Sequence, residues 1–70
     1  MALRPVRCRL PHILRENKLT ATEFAEKFGM PKQQVYDYSS FRKVMSLKTA
    51  KNVADFFGIP IEDLYEYEEE

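Results

Sequence analysis

The stretch from Leu19 to Pro31 restricts the fold of this chain more than any other. Thr20-Ala-Thr-Glu23 has the spacing of a capping box. The Thr20 hydroxyl can accept from the Glu23 amide, and the Glu23 carboxylate can reach back to the Thr20 N–H. Leu19 before the cap and Phe24 after it are placed as a hydrophobic staple. Phe24, Ala25 and Phe28 then form one apolar stripe, and Gly29 supplies a left-handed exit. Only Met30 intervenes before Pro31, a residue suited to the first turn of a new helix. Two helices joined by so short a connection must cross steeply, as in a helix-turn-helix.

The remaining segments are consistent with a helical domain. Leu10, Ile13 and Leu14 predict a helix from Leu10 to Asn17, with Pro11 in its first turn. In the segment opened by Pro31, Val35 and Tyr38 face inward. Gln33, Asp37 and Ser40 lie opposite, flanked by Lys32 and Tyr36. Ser46 can cap a fourth helix whose inner face is Leu47, Ala50, Val53, Ala54 and Phe57, ended by Gly58. Pro60 opens a last short helix that buries Leu64. No sustained period-two run and no hairpin dipeptide stands out. The expectation is an all-α, compact domain of four to five helices. It has a core over residues 8–65, a basic N-terminal arm over 1–7 and an acidic tail over 66–70 that frays.

Composition narrows the function. Seventy residues allow one domain. The single cysteine, Cys8, excludes a disulfide framework, and with the single histidine, His12, it cannot complete a four-ligand metal site. No cofactor or metal is expected. No apolar run nears the ~18 residues of a membrane span, and no signal peptide is recognisable, so a cytoplasmic protein is expected. The net charge of zero conceals an asymmetry. Residues 1–18 carry five bases against one acid, residues 19–58 six against four, and residues 59–70 six acids and no base. A basic body suits a polyanionic partner, although solvated ends would show the same pattern. No glycine-rich phosphate loop, metal-ligand cluster or triad-like set points to an enzyme.

The segments CRLPHILRENKLTATEFAEKFGMPKQQVYDY and SLKTAKNVADFFGIPIEDLY together resemble the lambda-repressor-like, Cro/CI-type (XRE) helix-turn-helix family. The resemblance covers residues 8–65. It rests on Leu19-Thr20, Ala25, Gly29, Val35, Tyr38, Leu47, Ala50, Val53-Ala54, Gly58-Ile59 and Asp63-Leu64 in that order. It implies a third helix in the major groove of double-stranded DNA and a second helix across the backbone. The sequence departs from the family pattern at Ala21, where a glutamine is usual, and at Ser39-Ser40-Phe41, where a Glu-x-Gly turn is usual.

Carried over by position, Lys32, Gln33, Gln34 and Asp37 are the expected base-reading residues, and Tyr36 joins them as a ring able to touch a thymine methyl or bond to a phosphate. Thr20, Thr22, Ser40, Arg42, Lys43, Arg7 and Arg9 are the expected phosphate contacts. A Gln33 carboxamide matches adenine N6 and N7, Lys32 suits guanine or a phosphate, and Asp37 can accept from cytosine N4. On chemistry alone, each is also an ordinary solvated side chain. Phe56, Ile59 and Tyr65 are the expected contacts of a weak homodimer. The function implied is a small phage- or mobile-element-type transcriptional repressor. The alternative is a protein-interaction module on the same fold, an antirepressor or inhibitor of another regulator.

Overall fold

A computed structural model describes residues 2–70 and places four α-helices in the expected order. They are α1 (Leu10–Glu16), α2 (Ala21–Phe28), α3 (Lys32–Ser39) and α4 (Leu47–Phe57). The local signals act as their chemistry requires. Thr20 Oγ1 accepts from the Glu23 amide at 3.1 Å, and Glu23 Oε1 accepts from the Thr20 N–H at 2.9 Å. The Thr20 N–H, and after it the Thr20 hydroxyl, hold the Glu23 carboxyl below its ordinary range. Ser46 caps α4 by accepting from the Thr49 amide. Gly29 and Gly58 end α2 and α4 at φ 85° and 69°, the left-handed region where a side chain would be strained.

The core gathers one face of every helix. Phe24, Leu10, Val35, Val53 and Leu64 are fully buried, joined by Ile13, Leu14, Tyr38, Met45, Ala50 and Ala54. Phe28 and Phe57, expected within the core, lie at its edge and are only partly buried, stacked on the Phe24 ring at 5.2 and 5.3 Å. Leu47, expected on the inner face of α4, is 79% exposed because it occupies the first position of the helix, outside the packed turns.

The last short helix, expected after Pro60, is a 3-10 helix, Ile61–Leu64, so the α-helices number four among the described residues. One expectation is corrected. The domain is not all-α. The N-terminal arm forms strand β1 (Leu3–Cys8), and the acidic tail, expected to fray, forms strand β2 (Tyr65–Glu69). The two pair antiparallel, with Arg4 opposite Glu68, Arg7 opposite Glu66 and Cys8 opposite Tyr65.

The physical reason lies in this register. Arg4 and Arg7 approach Glu68 and Glu66 at 3.8 and 3.5 Å. These exposed pairs stabilise little individually, but opposite charges across a ladder favour this register over its slips. Pro5 is tolerated because a two-stranded ribbon consists of edges, and the ladder is irregular between Pro5 and Arg7. The ribbon is anchored where it meets the helices, since Cys8 and Tyr65 are both buried. Burial also pushes the Cys8 thiol and the Tyr65 phenol above their ordinary pKa values.

Candidate nucleic-acid interface

Two residues, Met30 and Pro31, separate Gly29 at the end of α2 from the start of α3, and the two helices pack directly on each other. Val35 and Tyr38 fix α3 to the core. The opposite face presents Lys32, Gln33 and Tyr36 to solvent. The Lys32 ammonium lies 5.7 Å from the centre of the Tyr36 ring, so the first turn carries a cation supported by an aromatic face. Gln34 is half-buried, and its amide donates to the Tyr38 hydroxyl at 2.9 Å, which commits that carboxamide to the helix itself.

Asp37 differs from its neighbours. The sequence places it on the solvent side, yet it is only 8% exposed. Its carboxylate accepts from Gln33 Nε2 at 3.1 Å and lies 3.9 Å from the Arg42 guanidinium and 3.7 Å from the Lys43 ammonium. Its carbonyl accepts from the amides of Arg42 and Lys43 and from the Ser40 hydroxyl. Arg42 and Lys43 fold back over the residue and cover it.

Among the phosphate-contact candidates, Thr22 is exposed near the start of α2, whereas the Thr20 oxygen is occupied by the capping box. Arg42 and Lys43 stand just beyond the C-terminal end of α3, with Ser40 beside them. Arg7 and Arg9 line a cleft with His12, Arg15 and Ser39, which brings the base of the arm next to the end of α3. Arg7 pairs with Glu66, and Arg9 donates to the Asp63 carbonyl at 3.1 Å. Arg15 carries no role in the sequence reading. The i, i+3 spacing of His12 and Arg15 on α1 is the signal that places both on this cleft.

The turn after α3 takes an unusual route. Phe41 occupies the place where the family pattern has glycine, and its φ is 61°. Its ring is only partly exposed and meets Tyr65 edge-on at 6.0 Å, so packing holds the residue in this left-handed conformation. Of the aromatic and aliphatic dimer candidates, Phe56 is 41% exposed and belongs to the ring cluster of Phe24, Phe28 and Phe57. Ile59 is partly buried. Tyr65 is 7% exposed and its hydroxyl accepts from the Met45 amide, so the expectation that it is an exposed contact is corrected.

A short-linked pair of helices, the second with a polar face and cations at its end, defines a helix-turn-helix of the DNA-binding class. Residues 9–70 match the family model of the Cro/C1-type HTH DNA-binding domain, and the chain belongs to that family. It is also 40% identical over 47 residues to the SPbeta prophage-derived uncharacterized HTH-type transcriptional regulator YopS of Bacillus subtilis (strain 168). That match covers 66% of this chain and 64% of the relative's length. No helix among the described residues is long and apolar enough to cross a membrane.

Proposed function

We propose that this chain is a sequence-specific transcriptional regulator of the phage or mobile-element kind, acting in the cytoplasm by occupying an operator through α3. The observation that carries this reading is the exposed row of Lys32, Gln33 and Tyr36 on α3, with Arg42 and Lys43 beyond its end. In this arrangement Gln33 and Lys32 meet base edges, while Arg42, Lys43, Thr22, Arg7 and Arg9 hold phosphates. The similarity to a prophage-derived regulator supports the biological setting.

A single recognition helix covers one half-site, and two-fold dimers on paired half-sites are the usual way to read a full operator. The chain therefore acts as a weak homodimer assembled on DNA, with Phe56 and Ile59 available for its contact.

The test is a titration on cognate and scrambled duplexes over a range of salt concentrations. Gln33→Ala should weaken cognate binding by about 1–3 kcal/mol and leave scrambled binding nearly unchanged. Arg42→Ala or Lys43→Ala should weaken both and lower the salt slope by about one unit for each phosphate no longer neutralised. Stoichiometry from the same titration should give two chains per operator. If wild type shows no cognate preference at any salt, the operator reading fails and the protein-interaction alternative replaces it.

A further inference from the structure

Asp37 occupies a position on α3 where a carboxylate would be repelled by the phosphates flanking a major groove. The structure buries it instead and surrounds its two oxygens with Gln33, Arg42 and Lys43. We propose that Asp37 is not a base reader but a positioning residue with two effects: it orients the Gln33 carboxamide, which raises specificity, and it masks the charge of Arg42 and Lys43, which lowers the affinity for any DNA. This inference rests on α3 being the DNA-reading helix.

The first effect follows from the hydrogen-bonding capacity of the amide. A glutamine amide carries two N–H donors and one carbonyl acceptor. One Gln33 donor is held by Asp37 Oδ1 at 3.1 Å. The second donor and the carbonyl are left as the adjacent pair that adenine N7 and N6 require. A side chain already held in one orientation loses less freedom on binding than one that must be ordered by the DNA.

The second effect follows from charge. Arg42 and Lys43 are 73% and 64% exposed at their side chains, while the Asp37 side chain is 11% exposed beneath them. Each cation therefore reaches a phosphate while still attracted to the carboxylate. This lowers the affinity for any DNA, whatever its sequence. Cognate and non-specific binding are lowered alike, so discrimination between them stays with the base contacts that only the cognate complex makes.

Two substitutions separate the effects. Asp37→Asn keeps an oxygen that can accept from Gln33 but removes the charge. Asp37→Ala removes both. The measurements on the full chain are the salt dependence of binding to a random-sequence duplex and the base preference selected from a randomised duplex pool. Thermal melts confirm that each variant is folded.

Both variants should bind the random duplex more tightly than wild type, with a salt slope steeper by about one to two units as two cations are released. Asp37→Asn should keep the wild-type base preference. Asp37→Ala should relax it by roughly ten- to a hundredfold at the same position that Gln33→Ala relaxes. The double variant should be no more relaxed than either single one.

Relaxation by Asp37→Ala at a position untouched by Gln33→Ala would show that Asp37 itself reads a base and would overturn the proposal. An unchanged or shallower slope in both variants would overturn the masking role. If wild type selects no preferred sequence, the orienting role falls together with the operator reading, and the salt slope alone then decides the masking role. Should Asp37→Ala not fold, an additive drop in preference in Gln33→Ala with Asp37→Asn, beyond Gln33→Ala alone, would refute the orienting role.

Discussion

Replacing Tyr65 by Phe removes one oxygen and little else. In the folded chain that oxygen accepts from the Met45 amide at 3.0 Å, in a buried setting. Met45 is 6% exposed, so without the hydroxyl its N–H has no ready replacement in solvent. Leaving a buried donor unsatisfied costs about 1–3 kcal/mol. At ~0.05–0.15 kcal/mol per residue, a chain of this length has roughly 3.5–10 kcal/mol of stability in total. The cost is therefore a substantial share of the whole. It corresponds to a lower Tm by roughly 5–20 °C, since 1 kcal/mol shifts a domain this small by ~4–8 °C. A thermal melt followed by circular dichroism measures this directly, with Tyr67→Phe as control. Tyr67 is 43% exposed, and a surface change of that kind should stay within ~0.5 kcal/mol. If Tyr65→Phe melts with wild type, the Tyr65–Met45 hydrogen bond does not tie the ribbon to the loop after α3.

Phe24→Ala should cost about 3–5 kcal/mol, because the ring is fully buried and touches Phe28, Phe56 and Phe57; a urea midpoint within experimental error of wild type would contradict this packing. Phe28→Ala should cost less, because that ring is only partly buried. Going up from neutral pH, stability should hold until an ordinary thiol, half-ionised near pH 9, begins to lose its proton, and should fall from there on. The sign follows from burial: Cys8 and Tyr65 both have raised pKa values when folded, so the unfolded chain releases protons that the folded chain retains. In urea titrations across this range, Cys8→Ala should delay the onset toward pH 10, where tyrosine takes over; an unchanged onset would remove Cys8 as its source.

The helices are legible in the sequence because their signals are local. A capping box, a staple and a glycine exit act within a few residues, so the boundaries of α2 follow from the sequence alone. The ribbon is not legible in the same way, because its partners lie at opposite ends of the chain. Pro5 argues against a strand by propensity, and Glu66, Glu68 and Glu69 argue for a solvated tail. Two signals are nevertheless present. Tyr65-Glu-Tyr-Glu68 alternates with period two, and a basic arm is matched by an acidic tail of similar length. Taken together they place Tyr65 inward. In the site, residue types are readable but their mutual engagement is not. Gln33 and Asp37 at i, i+4 are neighbours on any helix. That Arg42 and Lys43 return to cover Asp37 depends on the left-handed step at Phe41, which the sequence disfavours and which packing against Tyr65 and the amide bonds of Arg42 and Lys43 to the Asp37 carbonyl support.

The charge asymmetry also changes meaning once the ribbon is known. Glu66 and Glu68 face Arg7 and Arg4, so two of the four glutamates of the acidic tail are paired within the ribbon. Two clefts flank the end of that helix, one lined by Arg7, Arg9, His12 and Arg15, the other by Gln33, Tyr36, Asp37 and Arg42. The carboxylates lining them are Glu66, paired with Arg7, and Asp37, paired with Arg42 and Lys43. A protein of zero net charge can thus present a positive surface to DNA, because the two carboxylates that line these clefts are each paired with a cation. Asp37 is the exception that sits on the reading helix, and for that reason its removal, unlike the removal of a tail glutamate, should change how the chain discriminates between DNA sequences.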